Sequence, residues 1–201
     1  MEQAQVRANW SKFVVRCAKH FRDPNGALVV DSIPVELRRE IREAGRLAWH
    51  DARVLMDLVE VIRQVCGHAE ARAFWRVSFK ESITQPMLAP LARGALILFG
   101  NVPGALVRRT PQAWQLFTRN CGSLKAVDVG EESSVMLRVE NFPRVCRVLG
   151  FVCMVEGGLE SEMDFFSVRG TVETRAEAFM SRGFAEFVAR WGRDSYLPPR
   201  A

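Results

Sequence analysis

The spacing of apolar residues changes about two-thirds of the way along this chain of 201 residues, and that change constrains the fold most. Before it, apolar residues recur every three or four positions, which is typical of amphipathic helices. After it, the segments 124–130 and 133–141 alternate apolar and polar residues on either side of Glu131 and Glu132. Alternation across a short polar turn predicts a β-hairpin.

A long helix and a second pair of strands are predicted beyond this hairpin. The helix covers residues 143–163, and the strands cover 165–179 and 184–191 with a turn over 180–183. The order of elements is therefore a helical layer followed by β-β-α-β-β. It predicts an α+β fold in which an antiparallel sheet is covered by the long helix.

The helical part is expected to contain several helices. Besides one over residues 2–21, they cover 34–45, 52–84, 86–100, 103–109 and 111–120, and Asp51 is placed to cap the second of these. We expect three segments in the chain. These are an N-terminal amphipathic helix and turn (1–27), a single α+β domain (28–192) and a loose C-terminal tail (193–201).

The N-terminal helix gathers its apolar residues in one stripe, and Lys12, Arg16 and Lys19 lie on the opposite side. We expect the stripe to dock on the core and leave a solvated basic face. Peripheral contact with a membrane surface, or with a partner, is the alternative. No apolar run is long enough to span a bilayer, so a soluble protein is expected.

Charge and cysteine content narrow the classes of partner and compartment. The net charge of +5 comes from four lysines and 24 arginines that are scattered along the chain. Because no block of arginine and aromatic residues forms a recognition motif, we do not expect nucleic-acid binding. Five cysteines, an odd number without repeated spacing, indicate free thiols and a cytoplasmic location.

Small residues recur along the predicted helix 143–163. Cys146, Gly150, Cys153 and Gly157 fall on one side of it, and we call them the small-residue face. Two cysteines seven residues apart lie about 10.5 Å apart along a helix, too far for a disulfide or a shared zinc ion. The face either packs closely against a neighbouring helix or forms a wall open to a hydrophobic ligand.

Motifs of known enzymes do not occur in the chain. It has no nucleophile elbow, zinc-protease motif, phosphate loop or dinucleotide fingerprint, and its three histidines are dispersed. Glu160, Glu162 and Asp164 are expected on a solvated face, whereas Glu156 flanks the apolar side of its helix. We therefore expect a protein that is not an enzyme and has neither a metal site nor a cofactor.

Aromatic residues are the remaining candidates for a site. Most are expected in the core, and some of them could line a cavity between the helical layer and the sheet. Together with the small-residue face they form the predicted ligand-binding set, which is Phe99, Trp114, Phe117, Cys146, Gly150, Cys153 and Gly157.

The segment from "SIPVELRREIREAG" through "LARGALILFGNVPGALVRRTPQAWQLF" to "VEGGLE" and "EFVARW" resembles a family of uncharacterised myxobacterial paralogues of about this length. The family is similar in turn to vinyl-reductase-like domains, heme-NO-binding-associated domains and subunits of the TRAPP tethering complex. The resemblance implies a helical layer over an antiparallel sheet, the binding of small hydrophobic molecules, and dimers formed through helices.

Two departures from these relatives affect what the resemblance implies. Vinyl-reductase-like domains have a cysteine pair in the last hairpin; here Glu173 and Thr174 match, but Ala176 replaces one cysteine and none precedes Phe187. Heme-binding relatives use a helical histidine and a Tyr-Ser-Arg-type motif, whereas the single tyrosine, Tyr196, lies in the tail. The resemblance therefore predicts neither a thiol site in this hairpin nor a heme.

Two functions are consistent with these features. The first is a non-enzymatic sensory or regulatory domain that binds a small hydrophobic ligand between helices and sheet, as a homodimer. The second is a protein-interaction or scaffold module without a ligand. A bound small molecule distinguishes the two.

Overall fold

The computed structural model describes residues 3–21, 25–83, 89–99 and 103–192. Its helices are α1 (Ala8–His20), α2 (Asn25–Ser32), α3 (Val35–Glu43), α4 (Ala52–Ile83), α5 (Ala89–Phe99), α6 (Pro103–Val107), α7 (Thr110–Phe117), α8 (Leu149–Phe165) and α9 (Phe179–Arg182). Its strands are β1 (Gln5–Arg7), β2 (Trp49–Asp51), β3 (Thr118–Arg119), β4 (Ser123–Val127), β5 (Ser134–Glu140), β6 (Gly170–Arg175) and β7 (Ala185–Trp191). The predicted α+β fold class is confirmed.

The main sheet has four antiparallel strands in the order β4-β5-β7-β6. The hairpin predicted from alternation forms between β4 and β5, with Ala126 opposite Leu137. In the second pair, Val172 lies opposite Ala189. The predicted strand 165–179 was too long, because Phe165 ends α8, residues 166–169 connect α8 to β6, and the last residues lead into α9. Gly183 closes the connection to β7 with a positive φ of 68°.

A second, small sheet was not predicted. It pairs β1 with β2 and β3, so that Val6 lies opposite both His50 and Thr118. The predicted helix 2–21 was therefore wrong at its start, because residues 5–7 form a strand. A strand of two or three residues is too short to show the alternation that identifies strands in a sequence.

The apolar side of α1 packs on the core, as the docked interpretation of this helix predicts. Val14, Cys17 and Ala18 are buried there together with residues of α4 and α8. Residues 193–201, the predicted tail, lie outside the described residues. No described helix combines the length and the apolar character needed to cross a bilayer.

Helix α8 packs against α4 and also contacts β6 and β7, so it lies on the sheet as predicted. It begins at Leu149, six residues later than predicted, because Arg144–Cys146 form a separate turn of 3-10 helix and Val148 is extended. The N–H of Gly150 in its first turn donates to Oε2 of Glu60 at 2.9 Å. A carboxylate at this position satisfies a free donor and complements the helix dipole.

Helix α4 is interrupted once. Gly67 has φ 78° and ψ 170°, values that no α-helix contains, and helical geometry resumes at His68. Asp51 caps the first half as predicted, since its Oδ1 accepts from the N–H of Arg53 at 2.8 Å. The chain thus has a break in its longest helix, where the backbone can change direction.

Candidate functional site

A cavity of about 640 Å³ lies between the helices and the main sheet. This volume falls within the range of about 300–1,000 Å³ that is typical of small-molecule sites. Most of the lining is apolar and comes from α1, α4, α7, α8 and the inner side of the sheet. The described lining residues with large apolar side chains include Trp10, Phe13, Trp75, Phe79, Trp114, Phe117, Leu124, Leu137, Phe151, Met154 and Leu159.

Two tryptophans in this lining have indole N–H groups without an acceptor. Trp75 and Trp114 are 1% and 5% exposed, and neither Nε1 has a hydrogen-bond partner in the described part of the chain. A buried donor left unpaired costs roughly 1–3 kcal/mol, so native proteins usually satisfy it. Both tryptophans belong to the lining of the cavity.

Glu162 adds a carboxyl group to the same cavity. Its Oε1 accepts from the hydroxyl of Thr110 at 3.0 Å, whereas its buried Oε2 has no partner among the residues described. Burial raises the pKa of Glu162 to about 8, and the Thr110 hydroxyl offsets only part of this. The carboxyl is therefore mainly protonated at neutral pH, and its O–H is a further donor among the lining residues.

The raised pKa of Glu162 predicts a dependence of stability on pH. Because the folded chain holds this proton more tightly than the unfolded one, the stabilisation is complete below the ordinary pKa of 4.5 and is lost as the pH rises towards about 8. We expect the free energy of unfolding to fall over this range, and Glu162→Gln to remove most of the fall. Urea denaturation at a series of pH values measures it.

The control for this experiment is Glu177→Gln, at an exposed position. In this variant the free energy of unfolding should fall with pH as much as it does in the parent protein. An equal fall in Glu162→Gln and in the parent would show that another group is responsible.

The predicted site residues divide into separate groups. Trp114 and Phe117 both line the cavity. Trp114 also stacks on Phe142, with ring centroids 5.4 Å apart, and Trp10 packs against Trp114 and Phe117. Phe99 ends α5, and its side chain lies outside the described part of the structure.

The glycines of the small-residue face lie against α4 and do not line the cavity. A Cβ atom on Gly150 would come within 2.5 Å of the carbonyl oxygen of Val59. On Gly157 it would come within 2.4 Å of the carbonyl oxygen of Arg72. Of the two interpretations left open by the sequence, the structure shows close helix packing for both glycines.

Cys146 does not lie on α8 at all. It is buried in the 3-10 turn before this helix, next to the buried thiol of Cys121. The Cys121 contact and burial raise the pKa of Cys146. Cys146 and Cys153 therefore do not share one helix face, which corrects the predicted arrangement.

Cys153 contacts a histidine, and this histidine contacts a glutamate, an order known from nucleophilic enzymes. Its Sγ lies 3.3 Å from Nδ1 of His68, whose Nε2 lies 2.8 Å from Oε2 of Glu156. Glu156 Oε1 in turn accepts from the hydroxyl of Thr174 at 2.7 Å. However, Cys153 is fully buried, burial raises its pKa to about 11, and the cavity reaches none of these residues. The cluster is a polar link between α4, α8 and β6.

The acidic residues of α8 are not a solvated face, contrary to the prediction. Glu160 and Asp164 form ion pairs with Arg72 and Arg76 of α4 at 2.7 and 2.6 Å. Glu162 turns towards the cavity instead. In the described part of the chain, no group of three or more His, Cys, Asp or Glu side chains is placed to hold a metal ion.

Comparison with known proteins identifies the fold. No family model and no curated protein matches the sequence. Among solved structures, an unliganded Fe(II) H-NOX protein from K. algicida aligns with TM-score 0.64 and 7% identity, over 96% of this chain and all of the other. An oxygen-binding H-NOX domain related to soluble guanylate cyclases aligns with TM-score 0.59 and 14% identity, over 97% and 99%. The chain therefore has the H-NOX fold, which agrees with the broader resemblance predicted from the sequence.

The described lining of the cavity does not offer the ligands that hold a heme iron. A third similar structure, with TM-score 0.57 and 16% identity over 95% of this chain and 98% of the other, comes from work on heme distortion in the H-NOX family. Heme iron is held mainly by histidine, cysteine or tyrosine. All three histidines and all five cysteines belong to the described residues, and none lines the cavity; the single tyrosine lies outside them. Met154 is the one described lining residue with a sulfur atom, and methionine holds heme iron together with a histidine, which the described lining lacks. The described lining residues therefore do not fit this group.

Proposed function

We propose that the chain is a non-enzymatic sensory or regulatory domain whose cavity takes up one small, mainly apolar ligand with an acceptor oxygen. The observation that carries this proposal is the pair of unsatisfied indole N–H groups, of Trp75 and Trp114, in an apolar cavity. The protonated carboxyl of Glu162 adds a third donor. An apolar body removes water from the aromatic lining, and the oxygen pairs with these donors.

The break in α4 gives such a ligand a way to act on the fold. Among the described lining residues, all those from α4 follow Gly67, and the first half of the helix contributes none. Of α4, a ligand would therefore contact only this second half, together with α1, α5, α6, α7, α8 and the main sheet. Residues that absorb a change in φ and ψ serve as hinges, so we propose that uptake shifts the second half of α4 about Gly67.

Binding of prodan tests the proposed function. Prodan is a neutral naphthalene ketone whose emission moves to shorter wavelength in apolar surroundings. We expect it to bind with one molecule per chain and to quench the fluorescence of the tryptophans that line the cavity, Trp10, Trp75 and Trp114. Unchanged prodan emission in the presence of the folded protein would contradict the proposal.

A homodimer and a cytoplasmic location belong to the same proposal. Three large apolar side chains, Val35, Leu47 and Ile97, are 65%, 70% and 83% exposed and favour contact with a second copy or another protein. The five cysteines are free, which suits a reducing compartment. Light scattering measures the mass in solution, and a monomer at all concentrations would argue against the dimer.

A further inference from the structure

Four basic residues belong to the described lining of the cavity, and two of them are exposed at its mouth. Lys12, Arg16, Arg46 and Arg109 are among its lining residues, and Glu162 is the one acidic residue in the described lining. Arg16 and Arg46 are exposed, and so is Leu47 beside them, which places this side of the cavity at the protein surface. A molecule that enters here passes two arginines before it reaches the apolar interior.

The two exposed arginines are not neutralised by the protein itself. The guanidinium of Arg16 lies over the ring of Phe13 at 5.2 Å, and no described carboxylate lies within ion-pair distance of Arg16 or Arg46. Lys12 donates to the carbonyl of Arg42 at 2.9 Å, which leaves its positive charge unpaired. The mouth therefore has a net positive field that attracts anions and repels cations.

We propose that the ligand is an anionic amphiphile, with its carboxylate or phosphate head at Arg16 and Arg46 and, deeper in the cavity, a mainly apolar body that carries the acceptor oxygen. This inference rests on the proposed function, since it specifies the ligand of the same cavity. A guanidinium group binds both kinds of head in a bidentate manner. The aromatic lining of the cavity suits the apolar part of this ligand, and the arginines at the mouth of the cavity suit its acidic head.

Displacement of prodan by amphiphiles with equal chains and different heads tests this inference. Dodecanoate and dodecyl phosphate are compared with dodecanol and dodecyltrimethylammonium below their micelle-forming concentrations. We expect the two anions to compete about tenfold better than dodecanol at low ionic strength. The gain should be no larger, because exposed ion pairs are individually weak. The cation should compete least, and added salt should reduce the advantage of the anions. Whichever anion competes better identifies the head group.

The variant for this test reverses both charges, Arg16→Glu with Arg46→Glu. In this double variant the two anions should compete no better than dodecanol, and the ratio of their affinities is compared within the same protein. Arg182→Glu, at an exposed position of α9 away from the cavity, should keep the preference for anions. Direct binding of dodecanoate is followed in parallel by the fluorescence of Trp10 and Trp114.

The outcomes separate this inference from the proposed function. Equal competition by dodecanoate and dodecanol, or an anion preference that survives in the double variant, would overturn the anionic head and leave the apolar site intact. A second outcome is that dodecanoate binds with the charge dependence described above, whereas prodan and dodecanol do not bind. This result would contradict the proposed uptake of a mainly apolar ligand and would still support an anion site at Arg16 and Arg46. Failure of all probes would overturn both.

Discussion

Gly157→Ala is expected to lower the free energy of unfolding by roughly 1–3 kcal/mol, the usual cost of overpacking a well-packed interior. The added Cβ atom would lie 2.4 Å from the carbonyl oxygen of Arg72 and 2.7 Å from Cβ of Trp75. Neither neighbour is the far end of a flexible side chain, so α8 has to move away from α4. Urea denaturation of the variant and the parent protein measures the loss.

Gly158→Ala is the matched control, one residue further along the same helix. Its Cβ atom would meet only the ring of Phe79, at 3.4 Å, which is ordinary contact. Because alanine is preferred over glycine in a helix by roughly 1 kcal/mol, this variant should be as stable as the parent protein or more stable. Equal stability of the two variants would contradict close packing at Gly157.

Ala113→Phe is expected to weaken prodan binding at least tenfold while the fold remains stable. Ala113 is half-buried on α7 and lines the cavity, so a phenyl group placed there occupies the space that the ligand needs. The substitution fills open volume instead of forcing packed atoms apart, and the stability should change little. Fluorescence titration with prodan and urea denaturation measure the two effects separately.

Gln115→Phe provides the control for added bulk on the same helix. Gln115 is exposed and does not line the cavity, so this variant should bind prodan like the parent protein. Normal binding by Ala113→Phe would place the prodan site elsewhere on the molecule.

Sequence periodicity predicted the elements that are long enough to repeat their pattern. The hairpin of β4 and β5 and the helix α8 were both recognised, because each contains several residues of one face. The sheet formed by β1, β2 and β3 was missed, since strands of two or three residues have no measurable period. The turn at Cys146 was taken as helix because its residues are compatible with either conformation.

Periodicity identifies which residues share a face but not what lies opposite that face. Gly150 and Gly157 were grouped correctly, yet only their neighbours Val59 and Arg72 in α4, about 90 residues earlier in the chain, distinguish packing from a ligand wall. For the same reason Glu162 was grouped with solvated carboxylates. No local signal distinguishes it from Glu160, which pairs with Arg72.

The candidate site was predicted in part. Trp114 and Phe117 line the cavity, and the sequence had identified aromatic residues as the lining of a site between helices and sheet. Trp75 also lines the cavity, but it belongs to α4 and not to α7, which carries Trp114 and Phe117. Its unpaired N–H becomes visible only when the positions of all possible acceptors are known.

A crystal structure with bromine-tagged dodecanol tests the central claim most directly, because the anomalous signal of bromine locates the chain of the ligand. We predict one bromine site per protein molecule, inside the cavity bounded by Trp114, Phe117 and Met154. The hydroxyl should lie within hydrogen-bond distance of an indole N–H or of Glu162. A bromine site on the outer surface would contradict the account. So would a crystal with no bromine site and no ligand density in the cavity.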